Sequence, residues 1–218
     1  MPRTQLTEED ARHFREEGWL IIRGFLSDDG GNSSELAHWR NTTIDAVDHR
    51  GPIARGGAMH HSVPYKFSTT AAEREALRTV AAGDTRLTQR TNLWMTHAGM
   101  RKLMLNAQIG EMLSELAGVD GLRIWHDSAL FKEPWALPTS LHIDNPRWSF
   151  TSKGAINLWV ALEDVTAQNG CMYYLPKTHL EATLGLDVAT AGSPGIGDIF
   201  EAYPQWRNRE PIAVELLA

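Results

Sequence analysis

The sequence predicts an α+β fold in which helices come first and an antiparallel β region of sandwich or barrel type follows. Two observations carry this expectation. Apolar residues recur at helical spacing over the first 120 residues, and after Gly121 the period changes to two, with Pro- or Gly-bearing turns between short apolar runs. The chain has 218 residues, of which 42% are hydrophobic and 22% charged, enough to bury one core without disulfide staples. A single domain over residues 1–218 is expected, helical over 1–120 and β-rich over 121–218.

The first helix runs from Leu6 to Gly18, because Thr7 is an N-cap with Asp10 three positions on, Leu6 can staple onto Ala11, and Gly18 is a stop. Ala11 and Phe14 form its inward stripe. A short apolar strand, Trp19 to Ile22, follows it. After a Gly/Asp/Ser loop, Leu36, Trp39, Thr43 and Val47 mark a second helix from the cap candidate Ser34 to about His49. Residues 51–69 read as a long loop carrying His60 and His61. Two further helices fit Thr70 to Ala82, with a Thr70/Glu73 capping box, and Asn106 to Ala117, with Ile109, Met112, Leu113 and Leu116 as one stripe ended by Gly118. Leu122 to Phe131 and Ala155 to Leu162 read as strands, as do Leu141 to Asp144, Met172 to Leu175 and Ile212 to Leu217. Gln168-Asn-Gly170 is a turn between two of them.

Composition narrows the classes of function. The one cysteine, Cys171, forms no intramolecular disulfide and no thiolate zinc cluster, which fits a cytoplasmic protein. The N-terminus has no apolar leader, and no run approaches the length of a membrane span. A net charge of −6 with interspersed signs argues against nucleic acid as a partner.

His142-Ile143-Asp144 is the first candidate for chemistry. On a strand, residues two apart share a face, so the imidazole and the carboxylate can take adjacent positions on one metal ion. That is two thirds of the 2-His-1-carboxylate set that suits non-haem Fe(II). The triplet alone is a weak signal. With nine histidines in the chain, about half an occurrence of His-x-Asp is expected by chance. Strand parity places His126 with Leu122, Ile124 and Leu130, which reads as a packed histidine, while Trp125, Asp127 and Phe131 face the other way. In the strand at 155–162, Ile156, Leu158, Val160 and Leu162 form a core face. Ala155, Asn157, Trp159 and Ala161 suit either a lined cavity or a second packed face. Lys132, at a strand end, is either a snorkelling surface lysine or the cation for a dicarboxylic ligand.

Leu6-Thr-Glu-Glu-Asp to Gly18-Trp-Leu-Ile-Ile-Arg-Gly-Phe-Leu26, then Leu122 to Lys132 leading into Leu141-His-Ile-Asp144, and Asn157 to Cys171 running on to Leu175-Pro-Lys-Thr-His179, form three stretches. Together they resemble the phytanoyl-CoA dioxygenase family of Fe(II)/2-oxoglutarate oxygenases. The resemblance implies a double-stranded β-helix, a jelly-roll barrel with the N-terminal helices packed outside it. It implies His142 and Asp144 as iron ligands, Lys132 as a contact to 2-oxoglutarate and Trp159 in the cosubstrate pocket; Asn157 joins them by strand parity. Arg147 and Trp148, just past Asp144, are candidates for the substrate side or for plain loop surface. His179 matches a histidine that shapes a loop and does not bind iron. Lys177 stands where the family usually has Gly, and Ile143 where many members have Gln.

The implied reaction is hydroxylation of an aliphatic C–H of a small molecule with O₂, as 2-oxoglutarate is decarboxylated to succinate and CO₂. In the family, the second iron histidine and an Arg for the far carboxylate of 2-oxoglutarate follow a strand resembling Pro211 to Leu217. Neither has a match before Ala218, so the resemblance carries the expectation that the final barrel strands are missing. Two alternatives accompany the oxygenase reading. One is a truncated, catalytically inactive jelly-roll remnant acting as a binding or interaction module. The other is a jelly-roll metal protein of different chemistry whose site is completed by His60, His61 or His126.

Overall fold

The computed structural model describes residues 5–26, 34–49, 87–132, 139, 141–145, 148–182 and 199–217. The expected loop at 51–69, with His60 and His61, and the expected helix at Thr70 to Ala82 lie outside these residues.

The helix α1, Glu8–Glu17, begins on a capping box. The Asp10 amide donates to the Thr7 hydroxyl at 3.1 Å, and the Thr7 amide donates back to the Asp10 carboxylate at 2.9 Å. Gly18 ends it at φ +86°, a left-handed conformation that glycine adopts without strain. The next helix, α2, Ser34–His49, buries Leu36, Trp39, Thr43 and Ala46 along one stripe. The strand β1, Leu87–Thr91, precedes two short helices, α3, Leu93–Thr96, and α4, Ala98–Met104. His97 caps α4 by accepting the Met100 amide at Nδ1, and its Nε2 meets Asp45 on α2 at 3.1 Å. The helix α5, Ala107–Ala117, starts at Asn106, which accepts two amides, and stops at left-handed Gly118.

Strand β2, Ser128–Lys132, pairs antiparallel with β1, setting Leu87 opposite Lys132 and Thr91 opposite Ser128. Strand β3, Met172–Tyr174, pairs antiparallel with β4, Ile212–Val214, and a bridge joins Val165 to Leu216. Between them come a short helix, α6, Ile199–Ala202, and a 3₁₀ turn, Pro204–Asn208. The architecture is therefore mixed α and β, with two two-stranded antiparallel sheets among the described residues.

Several expectations are corrected. Trp19 to Ile22, Leu141 to Asp144 and Ala155 to Leu162 are extended in sequence pattern but belong to no strand among the described residues. Apolar alternation marks which residues face a core, while a strand also needs a neighbour in hydrogen-bonding register. The predicted strand at 122–131 begins only at Ser128, and its parity is reversed. Asp127 and Ala129 are buried, whereas Leu122, His126 and Leu130 are exposed. His126 is thus a surface residue. The inward face is the one carrying Asp127, whose carboxylate accepts the Trp94 amide at 3.2 Å. The half expected to be helical also contains β1, which supplies the partner for β2.

Two core clusters result. The larger gathers Phe25, Leu36, Trp39, Leu93, Met112 and their neighbours, with Leu158, Val160 and Leu162 packed against it, so the expected core face of 155–162 does face a core. The second is built from Leu175, Ile199, Phe200, Tyr203 and Trp206, with Leu141 and Ile143 packed on it. Trp206 is 1% exposed, stacks on Tyr203 with ring centroids 3.9 Å apart, and donates its indole N–H to Glu181 at 2.8 Å. Arg209 pairs with the other Glu181 oxygen and donates to the Pro176 carbonyl at 2.8 Å. The Trp206 and Arg209 hydrogen bonds hold the Glu181 carboxyl below its ordinary pKa. A carboxylate depressed in the folded state stabilises above its unfolded pKa and loses that contribution as pH falls through the folded one. Glu181→Gln is expected to flatten the acid side of the pH–stability curve below about pH 4, read as Tm against pH.

Candidate active site

The segment Leu141–Asn145 crosses the edge of the second core, where Leu141 and Ile143 are packed. His142 and Asp144 nevertheless converge: Nε2 of His142 is 3.1 Å from Oδ1 of Asp144, with side chains 27% and 40% exposed. The second Asp144 oxygen, Oδ2, accepts the Asn157 amide at 2.6 Å. The carboxylate is thereby fixed from one side by an amide and presented to the imidazole on the other. Two donor atoms bound to one ion at right angles, each at about 2.1 Å, lie about 3 Å apart, so this pair suits adjacent positions on a divalent cation. In the absence of an ion the same geometry is a His–Asp hydrogen bond, and a metal taking the imidazole lone pair displaces that proton. No cluster of three or more His, Cys, Asp or Glu that could hold a metal occurs among the described residues.

Lys132 closes β2 and lies against the turn at Gly170. A Cβ at Gly170 would stand 3.2 Å from the Lys132 Nζ, and Gly170 has φ +102°, so the Asn169-Gly170 turn gives the lysine its room. Partial burial lowers the Lys132 pKa. A cation that loses hydration in this way is stabilised by an incoming carboxylate. Trp159, two residues after Asn157, is half-buried. Trp148 is held by its amide, which donates to the Asn145 carbonyl at 3.2 Å, and its ring stacks on Phe150 at 5.2 Å. Phe150 in turn meets the edge of Trp125 at 5.3 Å. Arg147 lies outside the described residues. His142, Asp144 and Asn157 are therefore brought together by direct contact, while Lys132 and Trp148 sit in contacts of their own.

A cavity of about 110 Å³ opens beside His142. Its wall includes Tyr174 on β3, a residue the sequence reading passed over as a simple strand position. The Trp19 ring stacks flat on Tyr174, 5.8 Å between centroids and 6° between planes, and His13 meets the Trp19 edge at 5.0 Å. Burial, and then the negative charge of Asp144, push the Tyr174 hydroxyl above its ordinary pKa, which puts this phenol in the field of the candidate ligand pair. Trp19 is placed by the end of α1. The His179 Nε2 donates to the Arg15 carbonyl at 3.0 Å, and a Cβ at Gly18 would stand 2.3 Å from His179 Nδ1, so only glycine fits there. The Lys177 amide donates to the Glu17 carbonyl at 3.0 Å, and its ammonium pairs with the Glu17 carboxylate at 3.4 Å. His179 thus fastens its loop to the end of α1.

No helix among the described residues is long and apolar enough to cross a membrane. The phytanoyl-CoA dioxygenase (PhyH) family profile matches residues 14–187. A methylphosphonate hydroxylase of Gimesia maris (strain ATCC 29201 / DSM 8797 / 534-30) is 28% identical over 184 residues, 84% of this chain and 61% of the relative. The chain thus spans less than two thirds of that relative's length. The crystal structure of SnoK, a non-haem alpha-ketoglutarate-dependent carbocyclase from nogalamycin biosynthesis, superposes over 100% of this chain and 74% of its own. The TM-score is 0.69 at 23% identity. The epimerase SnoN, solved in complex with Fe³⁺, alpha-ketoglutarate and nogalamycin RO, covers 97% of this chain and 70% of its own, with TM-score 0.61 and 22% identity. With four fifths of its length matched by one family profile, the chain belongs to the phytanoyl-CoA dioxygenase family.

Proposed function

We propose that this chain forms most of a non-haem Fe(II)/2-oxoglutarate-dependent oxygenase that hydroxylates an aliphatic C–H of a small molecule, and that residues 121–218 contribute to a double-stranded β-helix. The observation that carries the reading is the 3.1 Å approach of the His142 imidazole to an Asp144 carboxylate whose other oxygen is held by Asn157. Imidazole nitrogen and carboxylate oxygen are the donor types of a facial-triad iron site, so the residues present fit that ion. When bound, iron with 2-oxoglutarate supplies the activation of O₂ that yields hydroxylated product, succinate and CO₂.

The chain's own residues supply binding, orientation and exclusion of water. His142 and Asp144 are assigned as ligands, with Asn157 fixing the carboxylate by its 2.6 Å hydrogen bond. Lys132 is assigned to a carboxylate of 2-oxoglutarate, which relieves the cost of its partial burial, and Trp159 to the wall of the same pocket. Arg147 and Trp148 are assigned to the substrate side. A charge-assisted hydrogen bond is worth about 1.5–3 kcal/mol. Lys132→Ala is therefore expected to weaken 2-oxoglutarate binding by about 10- to 100-fold with Fe(II) affinity unchanged, as measured by anaerobic calorimetry.

The test of the proposal is anaerobic titration of the chain with Fe(II) and then 2-oxoglutarate, followed by admission of O₂ and assay of succinate. Stoichiometric Fe(II) binding dependent on His142, with succinate released, supports the oxygenase. A chain that binds neither Fe(II) nor 2-oxoglutarate contradicts it and favours a binding module without catalysis.

A further inference from the structure

We propose that the cavity beside His142 receives the reacting end of the substrate, that this end is compact, electrically neutral and carries an acceptor oxygen, and that the Tyr174 hydroxyl donates to that oxygen. This deepens the oxygenase reading and rests on it, because the placement of the cavity against a proposed iron ligand is what makes it a substrate subsite.

Three observations carry the inference. First, size: about 110 Å³ is well below the ~300–1,000 Å³ of pockets that enclose whole drug-sized ligands, and below the ~150 Å³ that accommodates benzene. A compact end of a ligand fits inside, and any longer part would extend out through the opening. Second, charge: among the described residues the cavity lining contains no Lys or Arg, and the Glu17 carboxylate that lines it is already paired with the Lys177 ammonium at 3.4 Å. A carboxylate, phosphonate or phosphate entering here would have to compete with Glu17 for the Lys177 ammonium. Leu141, Leu175, Ile199 and Trp206 complete an apolar wall. Third, a held donor: Tyr174 lines the cavity and its ring is clamped by the flat stack of Trp19. A positioned phenol beside an apolar wall discriminates for a ligand oxygen, because an oxygen-free ligand that displaces water leaves the donor unmatched.

The experiment uses the metal-free full chain and two probes of the same shape, neutral isobutyramide and anionic isobutyrate, with binding read by ligand-observed NMR. The wild type is expected to bind isobutyramide at least about tenfold more tightly than isobutyrate. Tyr174→Phe keeps the ring that Trp19 stacks on, and is expected to weaken isobutyramide about fivefold, the value of one ordinary hydrogen bond. Isobutyrate bound as tightly as isobutyramide would overturn the neutral-substrate claim. Equal binding by Tyr174→Phe would overturn the role of the hydroxyl, and no binding of either probe would overturn the subsite. Co(II) titration of the same samples reads the His142–Asp144 pair independently. Loss of metal binding with retained isobutyramide binding indicts the oxygenase reading, and the reverse indicts the subsite alone.

Discussion

Replacing His142 with Ala is expected to weaken Fe(II) binding by at least about a hundredfold, as measured anaerobically by calorimetry, while the fold survives. Loss of residues that merely orient a metal ligand typically costs 10- to 100-fold, so loss of a ligand itself exceeds that range. The fold survives because His142 is partly exposed and its ring contributes to neither core cluster, while its neighbours Leu141 and Ile143 keep the segment anchored. Asp144→Asn tests the other half of the pair. It keeps the shape and the position available to Asn157, but replaces a charged oxygen donor by a neutral one. Its effect on affinity should approach that of His142→Ala. Asn157→Ala should have a smaller effect, because it frees the carboxylate to rotate without removing it.

The largest expected effect on stability is at Trp206. Truncation of a buried aromatic to Ala costs about 3–5 kcal/mol through lost burial and the cavity left behind. Trp206 is 1% exposed, is stacked against Tyr203, and donates to Glu181. Trp206→Ala would therefore also leave the Glu181 carboxylate with Arg209 as its remaining described partner. A decrease of this size is a large part of the stability of an ordinary domain. It should appear as a marked fall in the denaturant midpoint. Because Trp206 also lines the cavity beside His142, isobutyramide binding should be lost with it. Trp206→Phe restores a ring without the N–H and should recover most of the stability.

The parts of the molecule that were legible in sequence are those decided by local chemistry. Thr7, Asp10 and Gly18 bound α1 because capping requires only neighbouring residues, and Asn106 and Gly118 bound α5 for the same reason. The His142–Asp144 juxtaposition followed from a two-residue spacing and survived even though no strand ladder passes through it. Asn157, expected by strand parity to line the cosubstrate pocket, donates to Asp144. Features decided by distant partners were not legible. Strand β1 has one apolar residue among Leu87-Thr-Gln-Arg-Thr91 and exists as a strand through its pairing with β2. The reversed faces of 122–131 follow from Asp127, a carboxylate whose burial is supported by the Trp94 amide 33 residues earlier in sequence. No periodicity signals that support. The second core, built on Phe200, Tyr203 and Trp206, lies in a short helix and a 3₁₀ turn too brief to show a stripe. Tyr174 could have been noticed only by asking what stacks on Trp19, a contact 155 residues apart in sequence.

The most direct measurement is a double-mutant cycle in Co(II) affinity over His142→Ala, Asp144→Ala and both together. If one ion is shared, each single change removes nearly all of the measurable binding and the double change removes little more, a strongly non-additive cycle. Independent, additive losses, or wild-type affinity in His142→Ala, would contradict the claim that these two side chains grip a common ion.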